Sequence, residues 1–194
     1  MSYRVAVVCE DHTLDQYVVK PIVAAALAAV GKPRAIVRVI TDPRLNGISD
    51  LEGQLPAISR RYAAINDLVV VMVDADGSDG TDAAAKARKS KLLQRCGEGE
   101  PRDKIEVVVA VQELEVWAVW GVRSLLGVSW SAVRAERDPK ERFFDPQTTD
   151  ADAKAPGKGR TRLIKESLSA GWASIASGCP ELKDFEKSLR ERVT

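Results

Sequence analysis

The sequence is poor in the residue types that usually reveal a site. It has one histidine and three cysteines in 194 residues, and Cys9, Cys96 and Cys179 form no CxxC pair. A disulfide framework and a structural zinc site both need more ligands, more closely spaced, so the sequence argues against each and suits a reducing cytosol. Lysine and arginine number 29 against 28 acidic residues, a net charge of +1. This balance excludes nucleic-acid binding by bulk charge but permits a local basic groove.

Long apolar runs and targeting segments are also missing. The N-terminal residues lead directly into an apolar run of strand length, without the basic region and cleavage site of a secretory signal. The longest apolar helical stretch, residues 18–30, is interrupted by Lys20 and Pro21. It is shorter than the roughly 20 residues that span a bilayer. We therefore expect a cytoplasmic protein that does not bind membranes.

Apolar runs of strand length alternate with helical segments. We predict strands at 5–9, 35–40, 67–73 and 104–111. We predict helices at 13–31, 51–64, 79–95 and 113–120, and again at 161–169 and 180–192. Alternation of this kind is typical of an α/β fold with a mainly parallel, Rossmann-like sheet and helices on both faces. Residues 1–127 are expected to form this core, and residues 128–194 an irregular segment and C-terminal helices packed on the same domain.

Acidic residues follow three of the four predicted strands. Glu10 follows the first, Asp74 and Asp76 the third, and Glu113 and Glu115 the fourth. The carboxyl ends of parallel strands form the edge where α/β sheets bind ligands. Carboxylates gathered there repel one another unless a cation lies among them, and Mg²⁺ or Mn²⁺ prefers oxygen ligands. The pattern indicates a divalent-metal site; the alternative is that each acid is a helix cap or turn former.

The order and spacing of these acids resemble the Toprim domain of topoisomerases, primases, OLD-family nucleases and small RloB-like proteins. The matching stretches are residues 7–10 and 71–77. An uncharacterised Toprim-like group is more similar still, because it adds a Glu-x-Glu-x-Trp segment, here residues 113–117. Further similar stretches lie at 145–146, 155–160 and 179–185, so the resemblance extends over most of the chain.

The first motif departs from the family pattern. The glycine that follows its glutamate is Asp11 here, and the next acid, Asp15, lies five residues after Glu10 where the motif has four. The role of Asp15 stays open between a second ligand and an acid favoured by the helix dipole.

The resemblance implies phosphodiester chemistry with Mg²⁺ or Mn²⁺ as cofactor. By analogy with Toprim enzymes, Glu10, Asp74 and Asp76 would be the catalytic residues and metal ligands, with Glu10 as ligand or general base. Glu113 and Glu115 would build a second metal site, as in OLD-like nucleases. Residues i and i+2 of a helix point about 200° apart. If this segment is helical, only one of the two faces the cleft, and Glu113 is favoured; if it is extended, both do.

Two acid-free stretches concentrate positive charge. Residues 84–95 include Lys86 and Lys89, and residues 154–165 include Lys158, Arg160 and Arg162. Each stretch has five basic residues and is predicted to contact a phosphate backbone. The alternative for the first stretch is a solvated helix face.

Three functions are compatible with these residues. The first is a metal-dependent nuclease, or a related phosphotransfer enzyme, that acts on nucleic acid, with DNA favoured over RNA but not fixed by the sequence. The family's relatives alone suggest phage defence as its setting. The second is a non-catalytic Toprim-like binding or assembly module that works with a partner protein such as an ATPase. The third is a phosphatase or nucleotide-processing enzyme for small substrates. A homo-oligomer is compatible with each of the three functions, since the sequence does not fix the oligomeric state.

Overall fold

Four strands form one parallel sheet in the computed structural model, which describes residues 2–75, 82–97 and 102–193. The strands are β1 (Arg4–Val8), β2 (Ile36–Val39), β3 (Leu68–Asp74) and β4 (Ile105–Ala110). Their order is β2-β1-β3-β4, and every neighbouring pair is parallel. The predicted α/β class with a parallel sheet is confirmed, and each strand lies within one residue of its predicted bounds.

The two central strands are apolar on both faces because helices cover both. In β1, Val5 and Val7 pack on one side of the sheet and Ala6 and Val8 on the other, and all four are buried. Side chains that alternate between faces, yet are all apolar, are typical of a parallel strand between two layers of helices.

The helices divide between the two faces of the sheet. They are α1 (Gln16–Ala29), α2 (Ile48–Ala63), α3 (Asp82–Gly97), α4 (Glu115–Val119), α5 (Trp130–Ala135), α6 (Asp150–Lys154), α7 (Arg160–Ser169), α8 (Trp172–Gly178) and α9 (Pro180–Val193). Helices α2 and α3 cover one face; α1, α4, α7, α8 and α9 share a buried cluster with the other. No helix in the described ranges is long and apolar enough to cross a membrane.

The segment predicted to be irregular contains short helices. Ser129 begins α5, where its hydroxyl accepts the Ala132 N–H at 3.3 Å, and Thr149 begins α6 in a reciprocal capping box with Asp152. A π-helical turn at 140–144 and a 3₁₀ turn at 145–147 lie between them. Local capping bonds hold these elements, which are too short for a clear 3.6-residue apolar period.

The C-terminal helices pack on the same face of the sheet as α1. Leu163 of α7, Ile175 of α8 and Phe185 of α9 are fully or almost fully buried in the cluster that contains Val7 of β1. The chain at Gly121 approaches α7 so closely that a Cβ there would lie 2.5 Å from the Glu166 carbonyl carbon. This packing brings the N-terminus of α7 toward the carboxyl ends of the strands.

Candidate functional site

The site lies at the carboxyl edge of the sheet, where β1 and β3 are neighbours. Because β2 lies beyond β1 and β4 beyond β3, this is the point at which the strand order reverses, the usual ligand position in such sheets. Glu10 lies two residues after β1, and Asp74 ends β3. The Asp74 N–H donates to Glu10 Oε1 at 3.3 Å. The structure thus brings two predicted acids together, and the third, Asp76, lies outside the described residues.

The surroundings of Asp74 strongly oppose its ionisation. Burial raises its pKa well above the usual range, and the charges of Glu115, Asp15 and Glu10 raise it further. The Leu114 N–H donates to Asp74 Oδ1 at 2.7 Å, which favours the charged form but does not offset the other effects. A carboxylate in this position gains from a cation placed beside it.

Residues 11–15 form a turn that directs Asp15 into the acid cluster. The Asp15 carboxylate accepts the Asp11 N–H at 2.9 Å. Burial raises the pKa of Asp15 to about 6; Glu115 adds to this effect, whereas the Asp11 N–H and Arg160 oppose it. For Asp11, burial acts in the same direction, but hydrogen bonds from Thr13 outweigh it and the pKa is lowered. Helix α1 therefore begins after this turn, not at residue 13.

A left-handed residue turns the chain at the end of β4. Gln112 has φ of +71°, which costs a non-glycine residue about 1 kcal/mol or more. The Ala75 N–H is shared between the Ala110 and Gln112 carbonyl oxygens, both at 3.0 Å. The turn holds the start of α4 against the end of β3.

Both predicted acids after β4 join the site, but in different positions. Glu115 is almost fully buried and is the neighbouring charge that acts most strongly on Asp74. Glu113 is half-buried, accepts the Lys140 N–H at 2.9 Å, and has its pKa raised to about 7, chiefly by burial. The sequence favoured Glu113 for the cleft. In the structure it is Glu115, the first residue of α4, whose charge acts more strongly on Asp74.

Arg160 does not lie on the exposed basic surface that the sequence predicted. It is the first residue of α7, its side chain is 6 % exposed, and its Nη2 pairs with Glu115 Oε1. The guanidinium carbon lies 5.4 Å from the centre of the Phe144 ring. Among the described residues, its Nε–H has no hydrogen-bond partner. A run of basic residues gives no indication of this burial.

The glycines before α7 are the sequence signal that the stretch is packed rather than solvated. A Cβ on Gly157 would lie 2.6 Å from Thr161 Oγ1 and 3.0 Å from the Tyr17 ring. Gly159 has φ of +87°, and a Cβ there would lie 2.7 Å from a Thr148 methyl carbon.

The other predicted nucleic-acid ligands have varied surroundings. Lys158 and Lys86 are exposed. Lys89 forms an ion pair of 3.0 Å with the buried Glu106 of β4. Arg162 donates to Asp152, Glu166 and the Gln147 carbonyl, and so holds α6 and the preceding turn against α7. The structure therefore leaves the two lysines as the exposed members of the predicted set.

The donor chemistry of the cluster fits a hard divalent ion. Its members are carboxylates, and Cys9 beside them has its pKa raised by burial and by these acids, so its thiol stays protonated and is a poor ligand. Within 2–75, 82–97 and 102–193, no three His, Cys, Asp or Glu side chains form a complete metal-binding group. Mg²⁺ commonly uses one or two carboxylates and completes its shell with water or substrate oxygens. Glu10 and Asp74 would be those carboxylates.

Comparisons with protein-family models, curated proteins and solved structures found no match for this chain. Any function must therefore be argued from the site itself.

Proposed function

We propose that this protein is a divalent-metal-dependent hydrolase of nucleic-acid phosphodiesters, with a Toprim-like site at the carboxyl edge of its sheet. The observation that carries the proposal is that Glu10 and Asp74 meet at the carboxyl edge of the sheet, where Asp74 is buried and the charges of Glu115 and Asp15 act on it. A buried carboxylate whose pKa is raised by burial and by neighbouring acids is a common feature of active sites, where a ligand compensates for the repulsion.

Glu10 and Asp74 would hold the metal ion. A bound divalent ion stabilises negative charge that develops on a phosphoryl group and supports attack by water. Glu10 also has a position suited to accepting a proton from that water, since its carboxylate is at the sheet edge and only half-buried. Asp74 is held rigidly by the Leu114 N–H, which fixes its carboxylate for coordination.

A nucleic acid is the substrate that the surroundings favour. Lys158 is exposed on the loop that leads into α7, and the first residue of α7 reaches the acid cluster. A nucleic-acid strand bound along this loop would have its phosphates close to the acids, and Lys158 would neutralise part of the phosphate charge. The resemblance to the Toprim domain also favours phosphodiester chemistry, and DNA before RNA.

Cleavage assays on matched variants test the proposal. Purified protein is incubated with plasmid, single-stranded DNA and RNA in EDTA, Mg²⁺ or Mn²⁺. We expect metal-dependent cleavage by the wild type and a loss of about 100-fold or more in Asp74→Asn and in Glu10→Gln, because each removes a ligand charge. Asp184→Asn, which neutralises an exposed acid on α9, is the control and should cleave normally.

Other outcomes of the same assays separate the alternatives. Equal cleavage by wild type and Asp74→Asn would contradict the assigned site. Turnover of mononucleotides or small phosphate esters without cleavage of a polymer would favour a small-substrate phosphatase instead.

A second candidate is a non-catalytic binding module that works with a partner protein. One observation favours it: the ion pair of Glu115 with Arg160 supplies part of the compensating charge from the chain itself. A wild type that binds nucleic acid but cleaves none with Mg²⁺ or Mn²⁺ would support this candidate.

A further inference from the structure

The two acids expected to form a second metal site already have partners within the fold. Glu115 is paired with Arg160, and Glu113 accepts the Lys140 N–H at the start of the π-helical turn. A second metal ion would have to replace both interactions. The first replacement is costly, because both side chains of the Glu115–Arg160 pair are less than a tenth exposed and a separated guanidinium would stay buried.

We propose that Arg160 is a resident cation in the position of a second metal ion, so that the site binds one divalent ion, at Glu10 and Asp74. The inference rests on the proposed function and adds the number of ions and the identity of the second positive charge.

The donors of Arg160 suit this role. Its Nη2–H is engaged by Glu115, while its Nε–H is buried and has no partner among the described residues. The guanidinium therefore has one donor on a protein carboxylate and a second, buried donor that an anionic oxygen entering the cluster would satisfy. A second metal ion would likewise connect a protein carboxylate to an oxygen of the phosphate. A guanidinium performs this with directed hydrogen bonds and cannot lose its charge.

The fold holds Arg160 in this position. It is the first residue of α7, and it follows Gly159, whose left-handed backbone and close contact with Thr148 fix the start of the helix. The ring of Phe144 lies under the guanidinium at 5.4 Å. With its backbone fixed and one face covered, the side chain has little freedom to leave the acids for solvent.

Counting bound Mn²⁺ tests the inference without relying on activity. Electron paramagnetic resonance and isothermal titration calorimetry are used on the full chain at pH 7.5 for wild type, Arg160→Met, Arg160→Lys and Arg162→Met. We expect one Mn²⁺ per chain in the wild type, in Arg160→Lys, which keeps the charge, and in the Arg162→Met control. Arg160→Met should bind two, because loss of the cation frees Glu115 to act as a ligand.

Thermal unfolding gives a second readout. In EDTA, Arg160→Met should unfold at lower temperature than the wild type, since Glu115 is left buried without its partner. Mn²⁺ should then raise the unfolding temperature of Arg160→Met by more than it raises that of the wild type. Arg162→Met removes contacts outside the acid cluster, so Mn²⁺ should raise its unfolding temperature only as much as it raises that of the wild type.

Each contrary outcome has one meaning. The role of Arg160 would be overturned if the wild type bound two ions. It would also be overturned if Arg160→Met bound one ion and gained no more thermal stability from Mn²⁺ than the wild type does. Either result would leave the proposed function standing. No ion in the wild type would refute the proposed function itself. If Arg160→Met does not fold, Glu115→Gln decides: retention of one ion supports the inference, and loss of an ion shows that Glu115 is a metal ligand and overturns it.

Discussion

Replacing Asp15 by asparagine should stabilise the metal-free protein at pH 8. Asparagine is nearly isosteric, and its amide oxygen can still accept the Asp11 N–H that Asp15 accepts at 2.9 Å. The substitution removes a negative charge that is unfavourable in the folded protein, because the carboxylate is buried and the charge of Glu115 repels it. The protein no longer has to ionise a group in surroundings that favour its neutral form.

The size of the gain follows from the pKa. Burial raises the pKa of Asp15 from 3.8 to about 6, and each pH unit corresponds to about 1.36 kcal/mol, so the ionised carboxylate costs about 3 kcal/mol at most. Because the pKa is higher in the folded state, this cost is nearly absent below pH 3.8 and complete above about pH 6. We expect Asp15→Asn to raise the free energy of unfolding by about 2 kcal/mol at pH 8 and by much less at pH 4.

Urea unfolding followed by circular dichroism, in EDTA at pH 4 and pH 8, measures both values. Asp11→Asn is the matched control from the same turn. Its carboxylate accepts hydrogen bonds from Thr13, which lower its pKa, so this substitution should destabilise the protein at pH 8. A loss of stability in Asp15→Asn at pH 8, or an equal effect at both pH values, would refute the argument that burial of the Asp15 carboxylate opposes its ionisation.

Three further predictions concern packing, a structural ion pair and the basic loop. Gly121→Ala should lower the free energy of unfolding by about 1–3 kcal/mol, since its Cβ would lie 2.5 Å from the Glu166 backbone; an unchanged urea midpoint would contradict this. Asp152→Asn should lower the free energy of unfolding by about 1–2 kcal/mol at pH 7, allowing for solvent screening, because the Arg162 hydrogen bond lowers the Asp152 pKa to about 2. Below about pH 2 the substitution should have no effect, and equal losses in urea unfolding at both pH values would contradict this. Lys158→Glu should weaken nucleic-acid binding and reduce the salt dependence of the affinity by about one phosphate contact. Fluorescence anisotropy over a salt series measures this dependence, and an unchanged slope of affinity against salt concentration would show that the loop is not the binding surface.

The strands could be predicted closely because their signal is local. Strands β1, β3 and β4 are runs of mostly buried residues, because helices cover both faces of the parallel sheet. In β2 only Val37 is buried, and its β-branched residues carry the signal instead. The short helices α5 and α6 could not be predicted in the same way. They depend on capping bonds from Ser129 and Thr149, and the same residue types are equally common in turns.

The candidate site was predictable to the extent that it follows from topology. A rule about strand ends was enough to select Glu10 and Asp74, which the sheet order makes neighbours. Arg160 could not be placed by such a rule, because its burial depends on how α7 packs against α1 and α4. The different positions of Glu113 and Glu115 likewise depend on the path of the chain after β4, which turns at the left-handed Gln112; the residue types in this segment do not indicate that turn.

A crystal of the full chain soaked in Mn²⁺, with the anomalous signal mapped, tests the central claim most directly. We predict one peak at the carboxyl edge of the sheet, within about 2.5 Å of carboxylate oxygens of Asp74 and Glu10, and no peak in crystals of Asp74→Asn. Absence of a peak at these acids at saturating Mn²⁺, or a peak bound only elsewhere on the protein, would contradict the assignment of this cluster as a metal-dependent active site.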